Sequence, residues 1–493
     1  MDKPHAEFLV LAFDIGTSST RTALFDNHGQ LLLKSSSAVK YSVTYGDDGR
    51  AELSPAILLQ AAKRAYNQTL NAHRSPRTAK QLPIRATDAS SFWHGLLGLD
   101  RKLRPLTPVF TWADSRAALD ARRLREQHDE RVIQQRTGCM LRSTFWPAKL
   151  LWLRRVQPKL FRRVAYWVSP SDWIFHQLFG ELQTSPSMAS ATGLYAIRQR
   201  NWDGEIMDAC GIEPANLPRV AGQLGTLPRS STIVFCPIGD GAAGNLGSGC
   251  DRPHVAAINI GTSAAVRVIE LRSKTKSNLP FGLFRYVVDH NRYVTGGAVS
   301  NAGNLRQWCL RELRLEKPEQ ALVRRDAAAD LLTVLPFWVE ERAPTWPEGL
   351  PGVLHGLNQS TTAAQISRAA ATAVYYRLGQ ILVELENSFG HFRRIVVSGG
   401  ILQSPASLKL LADAIGRDIE AATEQEASLR GAAVHALNQL GIQVERSRPR
   451  KAVKCNRALA TKHRKRRKRQ IRLEKILTLP ANHPPPPGLR RDR

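Results

Sequence analysis

Residues 8–25 read Phe8-Leu9-Val10-Leu11-Ala12-Phe13-Asp14-Ile15-Gly16-Thr17-Ser18-Ser19-Thr20-Arg21-Thr22-Ala23-Leu24-Phe25, and this stretch decides the fold. An apolar run of strand length ends in an acid, a glycine and three hydroxyls, and a second strand-like run resumes at once. That is the pattern of a strand, a tight polar turn and a returning strand. Asp26-Asn27-His28-Gly29 marks another turn, after which Gln30-Leu31-Leu32-Leu33 is expected to open a third strand of an antiparallel meander.

Farther on, Leu53 to Ala72 has helical apolar spacing and Ile84-Arg85-Ala86-Thr87 reads as a short strand. Helices and strands therefore alternate, and the class is α/β. The opening pattern then returns. His254 to Ile260 is apolar, Gly261-Thr262-Ser263 is a small polar turn, and Ala264 to Ile269 resumes as a strand. An internal duplication follows, its halves meeting near residue 250. Ala363 to Phe389 reads as a long helix, Arg394 to Ser398 as a strand closed by Gly399-Gly400, and Ser407 to Ile415 and Leu429 to Leu440 as helices.

A chain of 493 residues that is 43% hydrophobic has room for two domains. Its net charge of +28 is uneven: residues 442–493 hold 18 Lys and Arg against 3 Asp and Glu, a net of +15. This segment has little apolar periodicity outside Ile471 to Leu479, and it reads as a basic, disordered tail with at most a short fraying helix. The first residues carry no cationic and apolar leader, and no apolar run approaches the roughly 18 residues of a spanning helix, so a cytoplasmic protein with no membrane partner is expected. The six cysteines lie apart with no C-x-x-C pair, which points away from zinc and from a disulfide framework.

The two turns have the chemistry of phosphate binding. A glycine lets backbone approach closely, successive N–H groups cradle an anion, and a carboxylate such as Asp14 can hold Mg²⁺ directly or through water. A plain hairpin explains the first turn alone equally well. The second copy keeps the glycine and hydroxyls without the acid, and two such turns across a cleft would clamp a triphosphate. Gly399-Gly400 is a third point of close approach at a strand's carboxyl end, or simply a strand-end turn. The chain has no G-x-x-x-x-G-K-[ST] loop, which removes the P-loop enzymes.

Together with Trp93-His94-Gly95, Trp112-Ala113-Asp114-Ser115-Arg116, Gly239-Asp240-Gly241-Ala242-Ala243-Gly244-Asn245-Leu246-Gly247, Gly296-Gly297-Ala298, Asn301, Trp308 and Glu341-Arg342-Ala343-Pro344, these segments resemble the FGGY carbohydrate kinases, in order, over about residues 8–441. The resemblance implies two RNase H-like (actin-like ATPase) domains with an interdomain cleft, here 8–249 and 254–441. It implies ATP and Mg²⁺ as cofactors, Asp240 as the base that takes the proton of the attacking hydroxyl, and Asp14 as the magnesium-organising carboxylate. Gly16, Thr17, Ser18, Ser19, Gly261, Thr262, Ser263, Gly399 and Gly400 fall on the nucleotide side, with Thr17 and Thr262 as phosphate contacts. Trp93, His94, Trp112, Asp114 and Arg116 fall, with Asp240, where the family touches its sugar. The structural reading of Asp240 is a cap on a helix beginning at Gly241, which is compatible with catalysis.

Within the family, Leu106-Thr107-Pro108, Thr111 to Arg116, Asp240 to Gly247 and Glu341 to Trp346 look most like the gluconate kinases, which implies phosphorylation of gluconate to 6-phosphogluconate. Xylulose, glycerol or another polyol or ketose is the alternative substrate. A catalytically inactive actin-like binding protein is the alternative of another class, and the intact Asp14 and Asp240 speak against it. A sugar acid asks for a cation or convergent N–H donors, which Arg116 or His94 would supply, unless Arg116 is spent on an ion pair with Asp114 or Asp120. Thr372 and Ala373 depart from the family's usual Glu-Gly. The expected partners are ATP and a small carbohydrate. Contact with nucleic acid or another polyanion is confined to the basic tail, and a homo-oligomer is compatible with the sequence.

Overall fold

Side chains alternate across a strand, and β1 (Leu9–Ile15) is buried along its whole length because both of its faces are covered. Leu9, Leu11, Phe13 and Ile15 join one apolar cluster with Leu58, Ala62, Ile174 and Phe175. Val10 and Ala12 join another with Ala432, Ala433 and Ala436. The computed structural model describes residues 7–74, 82–227, 230–275, 278–323, 332–424, 426–447 and 452–478.

Beside β1 lies β2 (Ser19–Asp26), antiparallel to it, and β3 (Ser37–Lys40) pairs antiparallel with β2 in turn. Helix α1 (Pro55–Arg74) then crosses to β4 (Ile84–Ser91), which pairs parallel with β1. With β5 (Gln223–Thr226), β6 (Ile233–Phe235) and β7 (Ile238–Gly239), the sheet has the order β5-β6-β4-β1-β2-β3, and β7 also pairs with β4. Helix α2 (Asp240–Gly247) leaves the end of β7.

The second sheet repeats the scheme. It is built from β8 (Val255–Ile260), β9 (Ala264–Leu271), β10 (Phe284–Val287) and β11 (Arg292–Val299), with α3 (Gly303–Glu312) following. The long α4 (Ala363–Phe389) leads into β12 (Arg394–Ser398), and α5 (Pro405–Ile415) into β13 (Ile419–Ala421). After α6 (Ala427–Gln439) come β14 (Ala452–Val453) and α7 (Arg457–Thr478). The order is β10-β11-β9-β8-β12-β13-β14. The duplication extends to register. Asp14 of β1 pairs with Ser90 of β4, and Asn259 of β8 pairs with Ser398 of β12.

The chain divides into two compact units. The first holds Met1–Pro253, Val268–Thr295 and Thr423–Arg448, and the second holds His254–Arg267, Gly296–Ala422 and Pro449–Arg493. The units are thus interleaved in sequence. The reason for the last exchange is that α6 covers the face of the first sheet bearing Phe8, Val10 and Ala12.

Two expectations are corrected. Gln30–Leu33 does not open a strand: Leu31 makes a single bridge to Phe25, and the third strand waits until Ser37. Side chains compete with the ladder here, since Asp26 Oδ1 accepts from the N–H of His28 and Gln30, and Ser35 Oγ donates to the Leu32 carbonyl at 2.7 Å. The second correction concerns the tail. Residues 452–478 are ordered, β14 adding to the second sheet beside β13 and α7 packing in the second unit. Pro484–Pro487 lie outside the described residues.

What anchors α7 is polar, which is why apolar periodicity misses it. His463, Gln470 and Glu474 are its buried residues, spaced seven and four apart on one face. His463 Nδ1 meets the Tyr376 hydroxyl at 2.8 Å, and burial holds its pKa down at about 4. Gln470 Nε2 donates to the carbonyls of Val334 and Ala373 at 2.9 and 3.1 Å. Glu474 takes Arg377, whose side chain is 0% exposed, at 2.7 Å. Ala373, one of the two departures from the family pattern, therefore lies under this helix. Among the described residues no helix is long and apolar enough to cross a membrane.

Removing one partner of a buried pair strands the other charge at a cost of about 3–5 kcal/mol. Glu474→Ala is expected to lower the unfolding free energy of the second unit by that order in urea denaturation, and Arg377→Met in the same background should recover part of it. An unchanged midpoint in the single variant would mean that Arg377 is satisfied without α7.

Candidate active site

In the first unit, three parallel strands end in one row. Asp14 of β1 pairs with Ser90 of β4, and Ser90 pairs with Ile238 of β7. Asp240 begins α2 two residues past that row, directly after β7, a strand two interstrand spacings, about 10 Å, from β1. Carboxyl ends of parallel strands are where α/β folds gather ligands.

Asp14 is 3% exposed. The hairpin register sets Arg21 directly across from it, and Arg21 donates to Asp14 Oδ2 at 2.5 Å and also to Glu426, just before α6. Burial raises the pKa of Asp14, and the Arg21 charge opposes that rise; Glu426 follows the same pattern. The turn beside it closes through Gly16 N–H to the Ser19 carbonyl at 2.9 Å, and the Tyr41 hydroxyl donates to the Gly16 carbonyl at 2.7 Å. Ser18 is exposed, and Gly16, Thr17 and Ser19 are half-buried.

Asp240 is itself the first residue of α2, with Gly239 as the N-cap, and its Oδ1 accepts from Gly241 N–H at 2.7 Å. The positive end of a helix favours a carboxylate there. The small residues that follow serve packing. A Cβ on Gly247 would lie 1.8 Å from the Ala427 carbonyl oxygen, and one on Gly431 of α6 would lie 1.8 Å from that of Ala243, so α2 and α6 touch backbone to backbone.

The indole of Trp93 lies against Gly239, where a Cβ would meet it at 1.8 Å. Trp93 Nε1 donates to the Ser187 carbonyl at 3.3 Å, and its ring meets Tyr286 at 4.9 Å. His94, at φ 66°, sets its ring against Phe145 at 4.9 Å. Its Nδ1 lies 2.7 Å from the Ala191 carbonyl and must donate, which in the neutral ring leaves Nε2 an acceptor. The sugar-side candidates Trp93 and His94 thus share one aromatic wall with Tyr286, and Trp93 lies against Gly239, the residue before Asp240.

Arg116 is not an open cation. Its NH2 reaches Glu52 at 2.5 Å and Asp114 at 2.6 Å, and its guanidinium sits over Trp152 at 4.5 Å. Asp114 also accepts from Ala51 N–H at 3.1 Å. The pairing is with Asp114 and Glu52; Asp120 pairs with Arg155. Half-buried Trp112 belongs to the loop this network holds. Beside it, Lys149 is buried with its pKa pushed down to about 7 by desolvation, and it donates to the Thr144 carbonyl at 2.5 Å.

The second unit carries a pocket of about 350 Å³ lined by Gly261, Thr262, Gly303, Arg306, Gly400 and Ser404 among others. The Gly261 turn closes through Gly261 N–H to the Ser263 carbonyl at 2.9 Å, and the start of α3 is tied to it by Gly303 N–H to the Gly261 carbonyl at 3.0 Å. Gly399, at φ 92°, is there for close approach, since a Cβ would meet the Ile260 carbonyl oxygen at 2.5 Å. Gly261, Thr262 and Gly400 are therefore brought together in the pocket, while Ser263 and Gly399 shape its backbone. Glu341 is buried and accepts from Ser300 N–H at 2.6 Å and from Asn301 at 3.1 Å, so that motif ties loops together.

Sequence reasoning missed Arg21 and Glu426. Arg21 had a signal, since a hairpin with a short turn after Ile15 sets residue 21 opposite residue 14. Glu426 had none, being brought in by packing from 405 residues beyond Arg21. Arg306 and Ser404 in the second pocket are also products of the tertiary fold.

Comparison with known proteins gives concordant matches. The family model for the FGGY family of carbohydrate kinases, N-terminal domain, matches residues 9–226, and that for the C-terminal domain matches residues 256–440. The chain is 28% identical over 464 residues to a gluconokinase of Bacillus subtilis, covering 88% of each. It is 30% identical over 449 residues to a xylulose kinase of Streptomyces coelicolor, again covering 88% of each. The fold matches that of gluconate kinase from Lactobacillus acidophilus with a TM-score of 0.86 at 23% identity, covering 96% of this chain and 99% of that one.

Backbone-to-backbone contact leaves no room for a methyl group, and overpacking of this kind costs about 1–3 kcal/mol or more. Gly431→Ala is expected to destabilise the first unit by that order. Gly204→Ala, where a Cβ meets nothing within 4 Å, should stay within about 0.5 kcal/mol of the parent. Equal urea midpoints for the two variants would contradict the close contact of α2 and α6.

Proposed function

The chain belongs to the FGGY family of carbohydrate kinases, and from that premise we propose that it transfers the γ-phosphoryl group of ATP to gluconate, yielding 6-phosphogluconate. The observation that carries the chemistry is the row of strand ends that holds Asp14 and delivers Asp240 two residues beyond it. Phosphoryl transfer needs positioning, charge neutralisation and one acceptor for the hydroxyl proton, so one metal-side and one base-side carboxylate suffice.

Asp240 takes the proton of the attacking hydroxyl. Trp93, packed against Gly239, and His94 on the same aromatic wall orient the sugar, with the acceptor Nε2 of His94 suited to a hydroxyl. Trp112 is offered from the loop that Asp114 and Arg116 hold in shape. Thr17 with Gly16, Ser18 and Ser19, and Thr262 with Gly261 and Ser263, contact phosphate through backbone N–H and hydroxyl groups. The 350 Å³ pocket with Gly400 is of a size for the nucleoside. Asp14 fits Mg²⁺: it is a buried oxygen donor whose desolvation a divalent cation would offset, and one carboxylate plus phosphate oxygens is the usual magnesium arrangement. Bound there, the ion would neutralise charge on the phosphates. Arg21 holds Asp14 in place for that role.

Gluconate is favoured by the likeness of residues 106–108, 111–116, 240–247 and 341–346 to gluconate kinases and by the similarity to a gluconokinase over 88% of each chain. The likeness carries this reading, since Arg116 is already neutralised by two acids. Xylulose is the second reading, favoured by the 30% identity to a xylulose kinase.

Asp240→Asn is expected to retain the fold and substrate affinity while turnover falls by about 10²-fold or more. Turnover near that of the parent would remove Asp240 from the mechanism. A MgATP-dependent panel of gluconate, xylulose and glycerol should give gluconate the highest kcat/KM. A neutral substrate ahead by tenfold, about 1.4 kcal/mol of transition-state preference, would overturn gluconate and leave the kinase chemistry intact.

A further inference from the structure

We propose that the outward face of α7 is a docking surface for the phosphodiester backbone of a nucleic-acid duplex. The helix is 22 residues long and carries ten Lys and Arg, with Glu474 as its one acid. Successive residues turn by about 100° around a helix axis. His463, Gln470 and Glu474 therefore fix the inner face, and Arg464, Lys465, Lys468, Arg472 and Lys475 project away from it. All five are exposed. Glu474, buried against Arg377, contributes no negative charge to that face.

Such an array is costly in isolation. Like charges three and four apart on a helix repel, and the set includes Arg464 with Lys468, Lys465 with Lys468, Lys468 with Arg472, and Arg472 with Lys475. On the inner side, Arg466 and Arg467 are half-buried, and desolvation followed by a neighbouring arginine depresses the pKa of each. A polyanion relieves this repulsion and gains the release of its own counterions. The rigid mounting matters as well: a helix of this length spans about 33 Å, close to one turn of a duplex at about 34–36 Å.

The observations favour nucleic acid over an anionic membrane. An interfacial helix needs an apolar face to bury in the headgroup region. Here the half-buried Ile471, Leu473 and Ile476 are turned partly into the protein, and only Leu477 is an exposed large hydrophobic of the helix. The face offers only long cationic side chains, which meet phosphates whatever the base, so binding should be independent of sequence.

The test is fluorescence anisotropy of the full-length protein with labelled 20-base-pair DNA and RNA duplexes of unrelated sequences, from 50 to 300 mM KCl. The expected result is binding to each sequence alike, with log Kd changing against log salt by a slope of about 3–4, the value for some four phosphate contacts. Comparison of the DNA and RNA arms identifies the source of the backbone. The variant Arg464→Gln, Lys465→Gln, Lys468→Gln, Arg472→Gln should bind at least tenfold more weakly at 50 mM KCl with most of the slope gone, while its urea midpoint and phosphotransfer rate stay at the parent values. Absence of duplex binding at 50 mM KCl overturns the proposal, as does parental binding by the variant. Tighter binding to phosphatidylserine vesicles than to either duplex would overturn it in favour of a membrane.

Discussion

The active-site geometry of the first unit depends on one contact, the backbone-to-backbone crossing of α2 and α6 at Gly247 and Gly431. Helix α2 begins with the proposed base Asp240, and α6 is preceded by Glu426, which holds Arg21 against Asp14. Both acids are thus positioned by helices that cannot move apart without losing their packing or together without a clash. Arg430 locks the same crossing: it is buried in α6 and donates to the carbonyls of Gly29 and Gly247 at 3.0 and 2.7 Å. His435, one turn on, pairs with buried Asp88 of β4 at 2.6 Å. One helix from the end of the chain therefore braces strand ends from its beginning.

The two halves share the arrangement and register of their central strands, and at one equivalent position they differ in a functional group that matters. Asp14 and Asn259 occupy equivalent places beside Ser90 and Ser398. Asn259 satisfies itself by donating to Ser398 Oγ at 3.0 Å. Asp14, an acceptor that burial disfavours when charged, needs Arg21 and through it Glu426. A single amide in place of a carboxylate relieves the second half of that electrostatic apparatus and leaves its turn to the backbone and hydroxyls.

Legibility in the sequence followed the physics of each element. The strand-turn-strand units, α4 and β12 were readable because their periodicity or their glycine punctuation is local; α4 and β12 begin and end where the pattern does. Gln30–Leu33 misled because its apolar run is overruled by Asp26 and Ser35 side chains. The basic helix α7 misled for the opposite reason, since its buried positions are polar and its pairing groups, Tyr376, Arg377 and the Val334 carbonyl, lie far off in the chain. The candidate acids were readable as residues in motifs. The company they keep was not, because Glu426 reaches Arg21 by packing and Arg116 spends itself on Glu52, 64 positions away.

The interleaving of the units bears on how the protein is made. During synthesis the early strands emerge first and would ordinarily condense as a domain. Here the face of the first sheet bearing Phe8, Val10, Ala12 and Phe25 is completed by Leu429, Ala432, Ala433 and Leu437, so it stays uncovered until nearly the whole chain has left the ribosome. The nascent N-terminal half would consequently expose that apolar face while the rest of the chain is made. Ribosome pausing or premature termination before residue 427 would release a sheet with one bare apolar side, a species suited to aggregation rather than to partial activity.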